Sequence, residues 1–250
     1  MEKYFKEFDD YVNIFDMNDS NNITKYKHSY RVMWAQNKYG NLIGFDESNC
    51  KLASIIGLLH DIGRFKQYKE YATFSDIRSV DHADLGVDIL FNEGLIERFW
   101  NNEEDYDTIK FSIKNHNKLS IERNDDINIM NHAKLIRDTD KLDILYLLGV
   151  LGEYNKRYSD KTLSDKIVES IFNHKPVNIK DVEHPNDAKA TYFAFPFDIN
   201  NIEVLNEVKI NLNSFYNLVN HDKIFDEIYN EVNKYIDDRL GNKKLELKRS

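Results

Sequence analysis

The segment Leu58-Leu59-His60-Asp61-Ile62-Gly63-Arg64 carries the strongest pattern in this sequence. Its two adjacent metal-binding side chains, His60 and Asp61, follow an apolar run, residues 52–59, whose leucines and isoleucines are spaced for burial on a helix. Further histidines and an aspartate recur at helical positions on both sides of this pair. The pattern predicts a divalent metal site inside a bundle of helices.

Composition favours an all-α protein. The 250 residues include only 3 prolines and 9 glycines, and the first proline is Pro176. A long stretch without proline that is rich in Leu, Ile, Lys and Glu favours helices, because proline breaks a helix and these residues propagate it. The hydrophobic fraction of 41% and the charged fraction of 31% are typical of a folded chain. We therefore expect residues 1–250 to form a single all-α protein.

Hydrophobic periodicity predicts helices along most of the chain. Toward the N-terminus they are a helix with the stripe Phe5, Phe8, Val12 and Phe15, then about 23–39, about 47–65, one capped by Asp81, about 95–100, about 107–116 and about 129–151. Toward the C-terminus they are about 164–173, 187–197, 202–219 and 222–240, with 176–185 as a linker or surface loop. Gly40 and Gly241 are expected to end the helices before them. Residues 66–80 lack sustained hydrophobic periodicity, and we expect them to form a loop that covers the metal site.

Candidate ligands must point into the bundle, since only inward-facing side chains can meet at one metal. His28 shares a helix face with Val32 and Tyr39. Asp140 follows Ile136 by four residues, and a carboxylate on such an apolar face needs a partner because burying a lone charge is costly. The same test selects six side chains in all: His28, His60, Asp61, His82, His116 and Asp140.

Six ligands exceed the four that one tetrahedral zinc takes, so we predict a two-metal site with Asp61 as the bridging, catalytic carboxylate. Imidazole and carboxylate ligands suit iron, manganese, zinc, nickel or cobalt. Two ions a few ångströms apart can bind a phosphate and hold a hydroxide for in-line attack, which indicates a hydrolase. Each histidine alone is more often a core residue than a ligand, and only their joint occurrence favours metal binding. His132 shares the Asp140 face, and we expect it in the core or at the surface.

Two arginines are candidates for binding a substrate phosphate. Arg64 follows Asp61 by about one helical turn, which predicts a catalytic role for its guanidinium beside the metals. A surface salt bridge is the alternative for Arg64. Arg78 lies in the loop expected to cover the site and is the second candidate.

Charge and cysteine content exclude several classes of protein. The net charge of -9 argues against a surface that coats nucleic acid, because such binding requires Lys and Arg to neutralise phosphates. The single cysteine, Cys50, rules out an intrachain disulfide and a thiolate zinc site. The first residues lack an apolar signal core, and no apolar run is long enough to span a bilayer. We expect a cytoplasmic protein that binds a small phosphorylated substrate and no membrane.

The chain resembles the HD-domain superfamily of metal-dependent phosphohydrolases. The resemblance rests on five segments in the family's order: His28-Ser29-Tyr30-Arg31-Val32, Gly57-Leu58-Leu59-His60-Asp61-Ile62-Gly63-Arg64, His82-Ala83-Asp84-Leu85-Gly86, Asn115-His116-Asn117 and Asp138-Thr139-Asp140-Lys141-Leu142-Asp143. It implies an HD-domain helical bundle over 22–152, followed by a helical extension, 153–250, of unassigned role.

The same resemblance implies how the site residues are shared between two metals. The ligands of the metal that defines the family would be His28, His60, Asp61 and Asp140. His82 and His116 match the extra histidines of dinuclear members, and a basic residue at the position of Arg64 contacts substrate phosphate in those members. The branch that cleaves cyclic dinucleotides carries Gly-Tyr-Pro after its equivalent of His116. This chain continues as Asn117-Lys118-Leu119, which disfavours that branch.

Three functions remain open at this point. The first is a phosphomonoesterase or phosphodiesterase acting on a small phosphorylated metabolite, with a nucleotide as the expected class. The second is a mixed-valent di-iron oxygenase, because some HD proteins with the same six-ligand pattern cleave carbon–carbon or carbon–phosphorus bonds with oxygen. The third is a non-catalytic module that senses a nucleotide.

Overall fold

The computed structural model of the chain describes residues 2–153, 159–219 and 222–247. Within these residues the regular structure is helical and no strand is present, so the expected all-α fold is confirmed. The chain divides into two compact units, Met1–Asp140 and Lys141–Ser250. No described helix has the length and apolar character that crossing a membrane requires.

The first unit contains every predicted ligand and the following α-helices. They are α1 (Glu2–Val12), α2 (Ser20–Leu42), α3 (Glu47–Leu59), α4 (Ile62–Tyr71), α5 (His82–Val87), α6 (Ile96–Phe99), α7 (Tyr106–Asn115) and the first part of α8 (Ile127–Gly149). Asp81 caps α5 as predicted, since its carboxylate accepts hydrogen bonds from the amides of Ala83 and Asp84. Phe15 lies beyond the end of α1, although its ring still packs against the apolar core.

Close packing of α2 on α3 brings His28 to the end of α3. A Cβ atom at Gly57 would lie 2.9 Å from the Cα of Met33 and 2.7 Å from the Cγ of Gln36, so only glycine fits at this crossing. The leucines and isoleucines of α3 are fully buried on the unit's core. This burial anchors the helix whose C-terminal end presents His60.

The single helix predicted over 47–65 is wrong, because the backbone leaves helical geometry at Asp61. Asp61 has φ -104° and ψ 15°, and α4 begins at the next residue and continues to Tyr71. Because of this break, the side chain of Asp61 does not point where a continuous helix would direct it. The start of the predicted loop, 66–80, is therefore helical, and the connecting loop spans 72–81 with a 3₁₀ turn at Asp76–Arg78. The left-handed Ala72, with φ 51°, ends α4.

Two predicted helix stops are also wrong. Gly40 lies within α2, which ends at Leu42 and turns at Gly44, where φ is 91°. A Cβ at Gly40 would lie 3.3 Å from the ring of Phe45, so this glycine makes room for that ring. Gly241 lies within α12, and no atom lies within 4 Å of a Cβ built there.

The second unit contains the last part of α8 together with α9 (Asp165–Phe172), α10 (Pro185–Phe193), α11 (Ile202–Leu218) and α12 (Lys223–Leu247). Phe193 packs on Phe215 and Phe225, with ring centroids 5.6 and 5.9 Å away. Residues 176–184 are irregular apart from a 3₁₀ turn at Ile179–Asp181, as expected of a linker or surface loop, and the last residue of the predicted loop, Pro185, begins α10.

Candidate metal centre

Four side chains from α2, α8 and the α3–α4 junction converge on one point. His28 Nε2 lies 3.1 Å from Asp140 Oδ1 and 3.2 Å from His60 Nε2. Asp61 Oδ2 completes the set, 3.5 Å from His28 Nε2 and 3.7 Å from His60 Nε2. Neighbouring ligands on an ion with bonds of about 2.0 to 2.2 Å lie roughly 3 to 3.5 Å apart. The four atoms therefore have the spacing of ligands around one divalent ion.

A second set of donors lies on the other side of Asp61. His82 Nε2, at the start of α5, lies 2.9 Å from His116 Nε2, just beyond the end of α7. Asp61 Oδ1 lies 3.2 Å from His82 Nε2 and 3.6 Å from His116 Nε2. The two oxygens of Asp61 thus face different donor sets, which is the geometry of a bridging carboxylate. All six side chains selected from the sequence are brought together.

Backbone and side-chain acceptors fix the tautomers of three of these histidines. His60 Nδ1 donates to Gly57 O at 2.8 Å, and His116 Nδ1 donates to Ile113 O at 2.7 Å. His82 Nδ1 lies 2.8 Å from a carboxylate oxygen of Asp76. In each neutral ring the proton is then on Nδ1 and the Nε2 lone pair points into the centre. Such lone pairs repel each other unless a cation lies between them, so these residues fit divalent metal ions.

The charges of the donors also suit metal binding. Burial raises the pKa of Asp61, but Lys25 and the surrounding histidines lower it further, so it lies well below its usual range. Asp140 behaves likewise, because its interactions with the rings of His28 and His60 outweigh its burial and hold its pKa well below the usual range. Burial lowers the pKa of His116 to about 4. At neutral pH the carboxylates are ionised and His116 is neutral, which are the protonation states that ligands require.

Lys25 is a site residue that the sequence analysis missed. Its Nζ lies 2.6 Å from Asp61 Oδ2, and its side chain is 19% exposed. Lys25 precedes His28 by three residues on α2, so both project from the same helix face. That spacing is the signal that could have identified it.

Arg64 lies between Asp61 and the covering loop. Its Nε lies 3.5 Å from Asp61 Oδ1, and its Nη1 donates to Phe74 O at 2.6 Å and Asp76 Oδ1 at 2.9 Å. Only 15% of the side chain is exposed, so the surface salt bridge considered above does not describe it. Arg78 is exposed on the 3₁₀ turn, and among the described residues no hydrogen bond or ion pair joins it to the centre.

His132 lies in the core. Its ring packs on Phe45 with centroids 4.5 Å apart, and Nε2 hydrogen-bonds Asn49 Oδ1 at 3.0 Å. Burial lowers its pKa to about 4.

A family model for the HD domain matches residues 26–145, a range that includes all six donors. Searches of curated proteins and of solved structures gave no match. Residues 26–145 are therefore similar to the HD domain, a family whose members are generally metal-dependent phosphohydrolases.

Proposed function

We propose that this HD domain is a metal-dependent phosphohydrolase, either a phosphomonoesterase or a phosphodiesterase, that acts on a small phosphorylated metabolite of the nucleotide class. The observation that carries the proposal is the division of six donors into two sets that share Asp61, with a cationic side chain beside each oxygen of that carboxylate. Bound divalent ions supply Lewis acidity and lower the pKa of water.

Lys25 and Arg64 give the site its preference for phosphate. Both cations lie within 3.5 Å of Asp61 and are largely buried. Two such groups bind the non-bridging oxygens of a phosphate and stabilise the negative charge that develops during hydrolysis. An oxygenase acting on an uncharged substrate has no need of this pair, so the pair favours a substrate that carries a phosphate or phosphonate group. The oxygen dependence described below separates hydrolysis from oxygenation of a phosphonate.

The half-buried Phe74 supports the choice of a nucleotide. Its ring centroid lies 5.8 Å from Lys25 Nζ and 5.9 Å from Arg64 Cζ. A nucleotide requires cations for its phosphate and an aromatic or apolar surface for its base. The loop 72–81 thus places an aromatic ring beside the two cations, which come from α2 and α4.

The proposal is tested by hydrolysis of nucleoside monophosphates, diphosphates and cyclic nucleotides, with manganese, nickel, cobalt, iron or zinc added to metal-free protein. Phosphate release reports hydrolysis of the monophosphates and diphosphates, and chromatography detects the monophosphate that a cyclic nucleotide yields. We expect turnover in wild-type protein and none in Asp61→Asn. The matched control is Asp84→Asn, since the Asp84 side chain is 54% exposed and pairs with Lys118 rather than with the centre. If protein loaded with two ions hydrolyses no phosphomonoester and no phosphodiester, the proposal is wrong.

Two other outcomes identify the alternatives. A mixed-valent iron signal in electron paramagnetic resonance, with turnover only in the presence of iron and oxygen, indicates an oxygenase. Nucleotide binding that survives Asp61→Ala, in a protein whose wild type shows no turnover, indicates a sensing module.

A further inference from the structure

We infer that Asp76, in the loop 72–81, is a positioning residue that sets the affinity of the second donor set for its metal ion. The inference rests on the proposed function in one respect, that divalent ions bind at the two donor sets. Asp76 is no ligand of the centre; it acts through His82.

His82 depends on a carboxylate from another segment for its orientation. The rings of His60 and His116 are held by carbonyls three residues earlier in their own helices, which any helical backbone supplies. His82 lies at the first position of α5 and has no such carbonyl from its own helix. Its Nδ1 instead lies 2.8 and 3.0 Å from the two carboxylate oxygens of Asp76.

Asp76 is itself held firmly in place. Its Oδ1 accepts hydrogen bonds from Arg64 Nη1 at 2.9 Å and from Gln67 Nε2 at 2.8 Å, and its Oδ2 accepts from Asn117 Nδ2 at 3.2 Å. Gln67 is fully buried and also donates to Ser79 Oγ and Val80 O, both at 2.9 Å, which binds the loop to α4. The carboxylate is therefore fixed before any metal binds.

A fixed carboxylate strengthens His82 as a ligand in two ways. It keeps the proton on Nδ1, so that the Nε2 lone pair points toward Asp61 Oδ1 and His116. Its negative charge also strengthens the attraction between the ring and a bound cation, and removing such a partner typically weakens metal affinity about 10- to 100-fold. The first donor set contains no residue of the loop, so its affinity for a metal ion should not change when Asp76 is substituted.

The test is titration of metal-free protein with manganese. Calorimetry measures the affinity of each ion, and metal analysis after dialysis counts the ions that stay bound. We expect two ions per wild-type chain. In Asp76→Asn we expect one ion at wild-type affinity and a second bound about 10- to 100-fold more weakly. Asp84→Asn is the matched control and should bind two ions as wild type does. Asp76→Glu retains the charge and should weaken binding of the second ion less than Asp76→Asn does. It also provides a second variant if Asp76→Asn fails to fold.

A second readout is the tautomer of His82 in the metal-free protein, measured by ¹⁵N nuclear magnetic resonance. We expect the proton on Nδ1 in wild type and a mixture of tautomers in Asp76→Asn. The inference is overturned if Asp76→Asn binds two ions at wild-type affinity, or if wild-type protein binds only one ion. Failure of the proposed function looks different: two ions bind and Asp76→Asn weakens one of them, but no phosphoester is cleaved.

Discussion

Gly63 on α4 packs directly against the backbone carbonyl of His82 on α5. A Cβ atom at Gly63 would overlap that carbonyl oxygen and would lie 2.8 Å from the amide of Gly86. The contact brings the two helices close enough for Asp61 Oδ1 and His82 Nε2 to lie 3.2 Å apart. The absence of a side chain at Gly63 is thus a condition for the second donor set.

Gly63→Ala should destabilise the protein, because the added methyl group forces α4 and α5 apart. We expect a loss of about 1 to 3 kcal/mol in the free energy of unfolding, as for other overpacked cores. The measurement is urea unfolding of metal-free protein. In the control, Gly86→Ala, the new Cβ would lie 3.5 Å from its nearest neighbours, which is ordinary contact. That variant should be neutral or slightly stabilised, and an equal loss in both variants contradicts the explanation.

Lys25→Met should lower kcat/KM for phosphoester hydrolysis while leaving the fold intact. A charged hydrogen bond to phosphate contributes about 1.5 to 3 kcal/mol, which corresponds to a decrease of roughly 10- to 150-fold. Steady-state kinetics on the best nucleotide substrate provide the measurement. Lys27→Met changes an exposed lysine of the same helix and should leave kcat/KM unchanged. Equal effects of the two substitutions would show that Lys25 acts only through net charge.

Acidification should destabilise the protein through His132. Its pKa falls from 6.5 to about 4 on folding, so between these values the unfolded chain binds a proton that the folded ring does not. Stability therefore decreases as pH falls through this window, by up to about 3 kcal/mol from this group, and the effect is absent above pH 6.5. We expect the loss in free energy of unfolding from pH 6.5 to pH 4, measured with chelator present, to be smaller in His132→Gln. If the free energy of unfolding changes with pH equally in the wild type and in His132→Gln, this role of His132 is refuted.

Arg137→Met should strongly destabilise the first unit. The buried guanidinium of Arg137 donates to Asn115 O at 2.7 Å and to Lys118 O at 2.6 Å, on either side of His116. Methionine leaves both carbonyls unpaired, at about 1 to 3 kcal/mol each, so we expect a loss of about 2 to 6 kcal/mol in urea unfolding.

The control for this prediction is Arg123→Met. Arg123 pairs with Asp125 where both side chains are almost fully exposed, and such pairs contribute little to stability. Its unfolding midpoint should stay near that of wild type. A similar midpoint for Arg137→Met would mean that water replaces the guanidinium at the two carbonyls.

The candidate metal ligands can be identified from the sequence because helix periodicity is local. Whether His28 or Asp140 faces inward depends on neighbours three and four residues away, and those neighbours are visible in the chain. Lys25 was equally accessible by its spacing from His28. The break at Asp61 was not, because the apolar pattern continues across it and the backbone change appears only as φ and ψ.

Periodicity along the chain thus determines the all-α fold and the inward face of each donor. Only the tertiary structure decides which segments meet: Gly63 against His82, Asp76 behind the His82 ring, and Arg137 around the carbonyls beside His116. The physical reason is that such contacts join residues of different helices, or of a loop and a helix. Their geometry depends on how whole helices pack, and the spacing of residues within one helix carries no information about its partner.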